Sequence, residues 1–167
     1  MKIKEKYRPN VAIIIVNKQG KILWCKRKDG KGWQFPQGGL DNKESPLEAI
    51  YRETQEEVGL QKQDIRIIRE SQEWFDYKVP QNKIPSYFKF ENSKFVGQTQ
   101  KWFLAELLCD DSHINLKTSS PIEFTDWTWS SYWHPISGGV EFKKSTYRKV
   151  LKTFLPYYTS LIKNQKT

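Results

Sequence analysis

Apolar positions fall into short runs separated by polar ones along most of the chain. "VAIIIVN" and "KILWCKR" predict two strands, and Asn17 to Gly20 between them supply the turn of an early hairpin. The runs "IRIIRES", "EWFDYKV", "QKWFLAELL" and "FTDWTWSSY" predict further strands. Two segments change to helical spacing. In "STYRKVLKTFL", Tyr147, Val150, Leu151, Phe154 and Leu155 recur at three and four residues, and Pro156 is expected to end or kink that helix. In "SPLEAIYRETQEEVGL", Leu47, Ile50, Tyr51, Thr54 and Val58 gather on one side at about 100° per residue and are expected to face a core. Val79 to Gly97 is polar, aromatic and proline-bearing, and reads as a long loop of the kind that often carries function. The tail after Lys163 reads as loose, and no internal repeat is evident. A sheet with helices packed on it is the expected architecture.

The second of these helices is closely specified. Ser45 is an N-cap, Pro46 suits the first helical position, Glu48 completes a capping box with Ser45, and Gly59 provides the stop. Yet Glu53, Glu56 and Glu57 crowd its last turns within about a 100° arc. Like charges at these spacings cost a few tenths of a kcal/mol each, and acids at a helix C-terminus oppose the macrodipole by about 0.3 to 1 kcal/mol. One reading is a solvated face softened by Arg52 and Lys43. The other is a cluster neutralised by a hard cation, since Mg²⁺ takes oxygen ligands and bridges carboxylates to phosphates.

Composition narrows the choice. The chain has 167 residues, 37% of them hydrophobic and 14% aromatic, which is enough for one domain with a real core and argues against disorder. The charged start and the six-residue limit of the first apolar run predict neither a signal peptide nor a membrane span. Cys25 and Cys109 are too few and too far apart for a disulfide framework or zinc site. They are expected to be reduced, packed in strands and cytosolic. His113 and His134 show no metal-ligand spacing and read as ordinary polar residues, and Trp127, Trp129, Tyr132 and Trp133 read as core. The net charge is +9, with a pI of about 9.4. Acids concentrate at Glu44, Glu48, Glu53, Glu56 and Glu57, whereas Arg8, Lys26, Arg27, Lys28, Lys31, Lys143, Lys144, Arg148 and Lys149 cluster elsewhere. An acidic pocket rimmed by basic residues suits a polyanion, although solubility alone also explains lysines.

Gly38 and Gly39 precede the helix, where glycines let backbone approach a ligand closely. From Gly38 to Leu60 the spacing is G-x5-E-x7-R-E-U-x-E-E-x-G-U, which resembles the Nudix box. Thr54 is the departure, standing where the family has a bulky aliphatic residue. The segments "YRPNVAIII", "WQFPQGG", "GQTQKWFLAEL", "TSSPIEF", "SYWHP" and "VEFKKSTYRKV" extend the resemblance to the bacterial RNA pyrophosphohydrolases of that superfamily, also described as diadenosine polyphosphate hydrolases.

The resemblance implies an α/β Nudix fold, an α/β/α sandwich around a mixed β-sheet, over residues 6–155 with the box at 38–60 and a tail at 156–167. It implies a hydrolase of phosphoric anhydrides, converting 5′-triphosphate RNA ends to monophosphate ends and so initiating mRNA decay in the cytoplasm. Diadenosine polyphosphate hydrolysis is the alternative, and a non-catalytic nucleic-acid-binding module is a third reading. The implied metal set is Gly38, Glu53, Glu56, Glu57 and Glu123 for Mg²⁺ or Mn²⁺, with more than one ion per site. The same four glutamates are the catalytic candidates, and the general base stays open among Glu53, Glu56 and Glu123. Arg8, Arg27 and Lys143 are implied phosphate and RNA contacts, as arginine's planar fork suits phosphate. Alternation along "VEFKK" places Val140 and Phe142 on one face to hold a nucleobase, with Tyr77 at the same mouth. The expected partner is a triphosphorylated RNA end or a dinucleoside polyphosphate, met by a monomer without an obligate protein partner.

Overall fold

The computed structural model describes residues 6–80, 82 and 95–166. Strand β1 (Lys6–Val16) is the centre of a seven-stranded mixed sheet. Along one edge it pairs in parallel with β6 (Phe95–Leu107) over its whole length, and β6 pairs antiparallel with β5 (Ile65–Lys78). Its other edge is divided. Residues 10–12 pair with the short β4 (Gln37–Gly39), while Val16 pairs with Ile22 at the start of β2 (Ile22–Arg27). Strand β2 then pairs with β3 (Trp33–Gln34) and β7 (Phe124–Ser130).

Alternation along β1 divides its apolar run between two cores. Ala12, Ile14 and Val16 meet Trp24, Phe35, Trp102 and the helix α3 (Lys144–Gln165), whereas Val11, Ile13 and Ile15 meet Leu23, Phe103 and the helix α1 (Pro46–Val58). A strand covered on both faces is uniformly apolar, as "VAIIIV" is. The layers are helix, sheet and helix, with the short α2 (His134–Gly138) lying against α3. Among the described residues, no helix is long and apolar enough to cross a membrane.

The local signals of α1 are realised in full. Ser45 Oγ accepts from the Glu48 amide, the Glu48 side chain accepts from the Ser45 amide, and Gly59 adopts the left-handed conformation with φ of 76°.

Several expectations need correction. The runs "IRIIRES" and "EWFDYKV" are one irregular strand, β5. Helix α3 does not end at Pro156 but continues to Gln165, with Leu161 buried and the Tyr158 hydroxyl donating to the Gly20 carbonyl at 2.6 Å. Those contacts hold the helix past a residue that would break an isolated one. The expected loop at 79–97 lies largely outside the described residues. Cys25 is buried in β2, but Cys109 is half-buried two residues beyond β6. Tyr132 is core, while Trp133 is exposed.

In α1, Leu47 is exposed although its angle matches the buried face; it sits in the first turn, beyond the residues that α1 buries. Glu57 is buried, because at 100° per residue it lies only about 20° from Ile50. Thr54 is fully buried, and its hydroxyl makes no hydrogen bond to a described residue. A buried unpaired hydroxyl costs about 1 to 3 kcal/mol. Thr54→Val keeps the shape and removes that group, so denaturant unfolding should show a gain of about 1 kcal/mol; a loss of stability would mean the hydroxyl is satisfied.

Candidate active site

The end of β4 and the last turns of α1 meet with little space between them. A Cβ placed on Gly38 would fall 2.0 Å from the Glu53 carboxyl carbon, and one on Gly39 would fall 2.8 Å from Arg8 Nη2. Absent side chains at 38 and 39 therefore let a carboxylate and a guanidinium reach the strand backbone. Glu57 is held from the same strand, its Oε2 accepting from the Gln37 amide at 3.0 Å. The Gln37 side chain is fixed in turn by Gln100 Nε2, which donates both to Gln37 Oε1 and to Asn10 Oδ1.

Arg52 organises the acids. Its guanidinium donates to Glu44 (2.9 Å), Glu53 (2.8 Å), Glu56 (3.3 Å) and the Gly39 carbonyl (3.0 Å). These bonds, with Glu44 foremost, raise Arg52 above the ordinary arginine range. They also tie the 39–44 loop to the helix. Arg52 counts as a positioning residue that sequence reading took only for a softening charge; its fixed place in the box was the available signal.

Burial pushes Glu53 up to about 7 against the pull of Arg52, with Glu56 and Glu123 adding to the rise. Glu57 is raised well above the usual carboxylate range by burial, then by Glu53. Two carboxyls that resist ionisation side by side are the donor set a hard cation relieves. Together with the glycine cradle, they fit a divalent metal.

These acids line a cavity of about 900 Å³. Arg8, Arg27, Gly38, Glu53, Glu56, Glu57, Tyr77, Glu123, Phe142 and Lys143 all line it. Glu123 is exposed just before β7, and its carbonyl accepts from the Lys28 amide at 2.9 Å. Arg27 is engaged by Asp29. Lys143 is buried, donates to Gln34 Oε1 at 2.9 Å, and has Nζ 5.3 Å from the Tyr77 ring centre and 5.9 Å from that of Phe142. Burial, then Arg27, pushes Lys143 down to about 7. An incoming polyanion would return the proton to it. The Tyr77 and Phe142 rings lie 5.9 Å apart.

Val140 is the exception. Residues 141–143 form a 3-10 turn rather than a strand, so Val140 and Phe142 do not share a face by alternation; Val140 packs near Gly32 and is absent from the cavity lining. Sequence reading also overlooked Gln34 and Gln37. It set aside Cys109 and His113, which the fold brings together with Asp64 outside this cavity.

The fold and the box define a Nudix hydrolase: the chain belongs to the Nudix family, whose NUDIX domain matches residues 6–154. Members of that family generally use divalent metal ions. Among relatives, the chain is 45% identical to the RNA pyrophosphohydrolase of Pectobacterium atrosepticum, covering 89% of this chain and 82% of that protein. It is equally identical to that of Yersinia enterocolitica, covering 90% and 84%. Solved structures share the fold at lower identity. The Escherichia coli dihydroneopterin triphosphate pyrophosphohydrolase matches with a TM-score of 0.69 at 17% identity over 90% of this chain and 97% of that one. A Caenorhabditis elegans Ap4A hydrolase complex matches with 0.63 at 22% over 89% and 98%.

The raised carboxyls make metal-free stability depend on pH with a definite sign. Glu53 titrates near 4.5 when unfolded and near 7 when folded, so its contribution is fully present below about pH 4.5 and is lost as pH rises to about 7. Lys143 works in the opposite sense but only above about pH 7. In chelator, the melting temperature should therefore fall between about pH 5 and 7, with a shallower fall in Glu53→Gln. Parallel profiles for the two proteins would exclude Glu53 as the cause.

Proposed function

We propose that this protein is an RNA 5′-pyrophosphohydrolase. Water attacks phosphorus at a 5′-triphosphate end, a phosphoric anhydride bond breaks, and pyrophosphate departs to leave a 5′-monophosphate. The observation that carries this reading is a single cavity lined by Glu53, Glu56, Glu57 and Glu123 together with Arg8, Arg27, Lys143 and the rings of Tyr77 and Phe142. The bacterial relatives named for this activity support it. Conversion of triphosphate ends in the cytoplasm would commit those transcripts to decay, and the enzyme would work as a monomer.

Glu53, Glu56, Glu57 and Glu123, with the Gly38 carbonyl, would hold Mg²⁺ or Mn²⁺, more than one ion per site. Such ions, when bound, neutralise phosphate charge and activate water. The remaining work falls to the protein. Arg8 and Arg27 would grip phosphate oxygens in pairs, for which Arg27 must exchange Asp29 for substrate. Lys143 adds charge that a polyanion restores, and Gln34 holds its Nζ at the cavity wall. Phe142 and Tyr77 offer ring faces to an unpaired base. Arg52 keeps Glu53 and Glu56 at their stations and does not itself touch substrate. The acids also count against a mere binding module, because a polyanion binder gains affinity by losing them.

Hydrolysis of triphosphorylated RNA should require a divalent cation, and Glu57→Gln should lower kcat by at least about 100-fold, which is roughly 2.7 kcal/mol. Single-turnover assays with Mg²⁺ and with chelator measure this. Activity in chelator, or an active Glu57→Gln enzyme, would refute a metal-dependent mechanism at these acids.

Diadenosine polyphosphates would use the same acids, so Phe142 separates the substrates. In a dinucleoside polyphosphate the two bases are separated by the whole phosphate chain, and a base second from the 5′ end has no counterpart. If that base stacks on Phe142, Phe142→Ala should lose about 1 to 3 kcal/mol on RNA of two or more unpaired nucleotides, and less on diadenosine pentaphosphate. The measurement is the ratio of kcat/KM for the two substrates at fixed salt and Mg²⁺. An unchanged ratio would make Phe142 a packing residue or one that serves both substrates alike.

A further inference from the structure

Beyond the end of β6, on elements separate from the cavity described above, Asp64, Cys109 and His113 converge. One ligand atom from each lies within 4.8 Å of the other two, and they form the only such group of three among the described residues. Asp64 is buried and tightly oriented. Its Oδ2 accepts from the Gln61 amide at 2.7 Å, its carbonyl accepts from the Leu108 amide at 2.8 Å, and its Oδ1 lies 3.0 Å from His113 Nδ1. Cys109 is half-buried and His113 exposed, so the group opens to solvent. A second cavity of about 440 Å³ reaches Cys109 and carries Asp110 and Asp111 in its wall together with Lys18.

The spacing suits coordination. Bond lengths of about 2.0 to 2.3 Å at tetrahedral angles put neighbouring ligand atoms about 3.3 to 3.8 Å apart. The 3.0 Å separation of Asp64 and His113 needs to widen by only a few tenths of an ångström. Without a metal, the Asp64 carboxylate is braced by hydrogen bonds with His113 and with the Cys109 thiol, and a cation would take the place of both. We propose that Asp64, Cys109 and His113 form a second metal site, distinct from the Nudix acids, for a thiophilic divalent cation such as Zn²⁺, with solvent as the fourth ligand. Thiolate, imidazole and carboxylate together select such a cation over Mg²⁺, which prefers oxygen alone.

In the metal-free protein, burial and then Asp64 push the Cys109 thiol up to about 11. Coordination therefore releases that proton to solvent, while His113, whose Nδ1–H donates to Asp64 in the absence of metal, would move its proton to Nε2 and offer the Nδ1 lone pair. The consequence is mechanical. The metal would clamp residues 61–64, which follow α1, to residues 109–113. The chain just beyond, at Asn115 and Thr118, is already bonded to the last carbonyls of α1.

Cobalt titration of the full chain with saturating Mg²⁺ tests the site, because a thiolate-to-cobalt charge-transfer band cannot arise from the Nudix acids. About one equivalent of Co²⁺ should produce the band, and Zn²⁺ should abolish it by displacement. Cys109→Ser should show no band, and His113→Ala should bind at least tenfold more weakly. Zn²⁺ should raise the melting temperature of the wild type and not of Cys109→Ser, while Mg²⁺-dependent hydrolysis by Cys109→Ser is retained. A wild type without the band, a band that survives in Cys109→Ser, or unchanged Co²⁺ affinity in His113→Ala would overturn the proposal.

Discussion

The Glu53 side chain occupies the space that a Cβ on Gly38 would take, and Glu57 takes a hydrogen bond from the strand amide at Gln37. These two contacts bring helical carboxylates onto the backbone of β4, which is itself paired to β1 at the middle of the sheet. A side chain at 38 would drive the Glu53 carboxylate off the β4 backbone. The capping of α1 and its packing through Ile50, Thr54 and Val58 all act to deliver those last turns to that place.

Such delivery has an electrostatic cost, and the structure distributes it. Arg52 sits among Glu44, Glu53 and Glu56 and lowers their mutual repulsion. It does not cancel the burial of Glu53 and Glu57, whose carboxyls stay raised. Lys143 in the wall of the same cavity is shifted in the opposite direction, held below the usual lysine range by burial and by Arg27. The cavity thus carries carboxyls and a lysine whose charged forms burial disfavours. A divalent cation would relieve the carboxyls, and a polyanion would relieve the lysine.

Much of this was legible in the sequence because local rules set it. Ser45, Pro46, Glu48 and Gly59 fixed the helix, and the spacing of its glutamates marked the acids before any fold was known. What remained hidden depended on other segments. That Leu47 is exposed follows from where the buried surface stops. That Glu57 is buried follows from a 20° margin that only packing resolves. Pro156 misled because an isolated helix breaks at proline, whereas contacts from Tyr158 and Leu161 carry α3 onward. The alternation read along "VEFKK" failed for a related reason: a five-residue stretch does not distinguish extended chain from a 3-10 turn leading into a helix.

The end of α1 is the place where position and charge make conflicting demands. Acids there oppose the helix dipole, and the last turn carries no basic residue to offset them. The carbonyls of that turn are satisfied instead from outside the helix, by the Asn115 amide on Val58 and by the Thr118 hydroxyl on Gln55 and Glu56. Gly59 must be glycine on two counts, since its φ is positive and a Cβ would fall 2.8 Å from the Asn115 carbonyl. The segment after β6 therefore serves as the cap that a charged last turn lacks, and it runs on to Glu123 in the cavity wall. Whatever holds 109–118 in place also holds the terminal glutamates and Glu123 in register. A fastening at Asp64, Cys109 and His113, at the root of this segment, would act on the acids of the cavity through a few residues of backbone rather than through any direct contact with them.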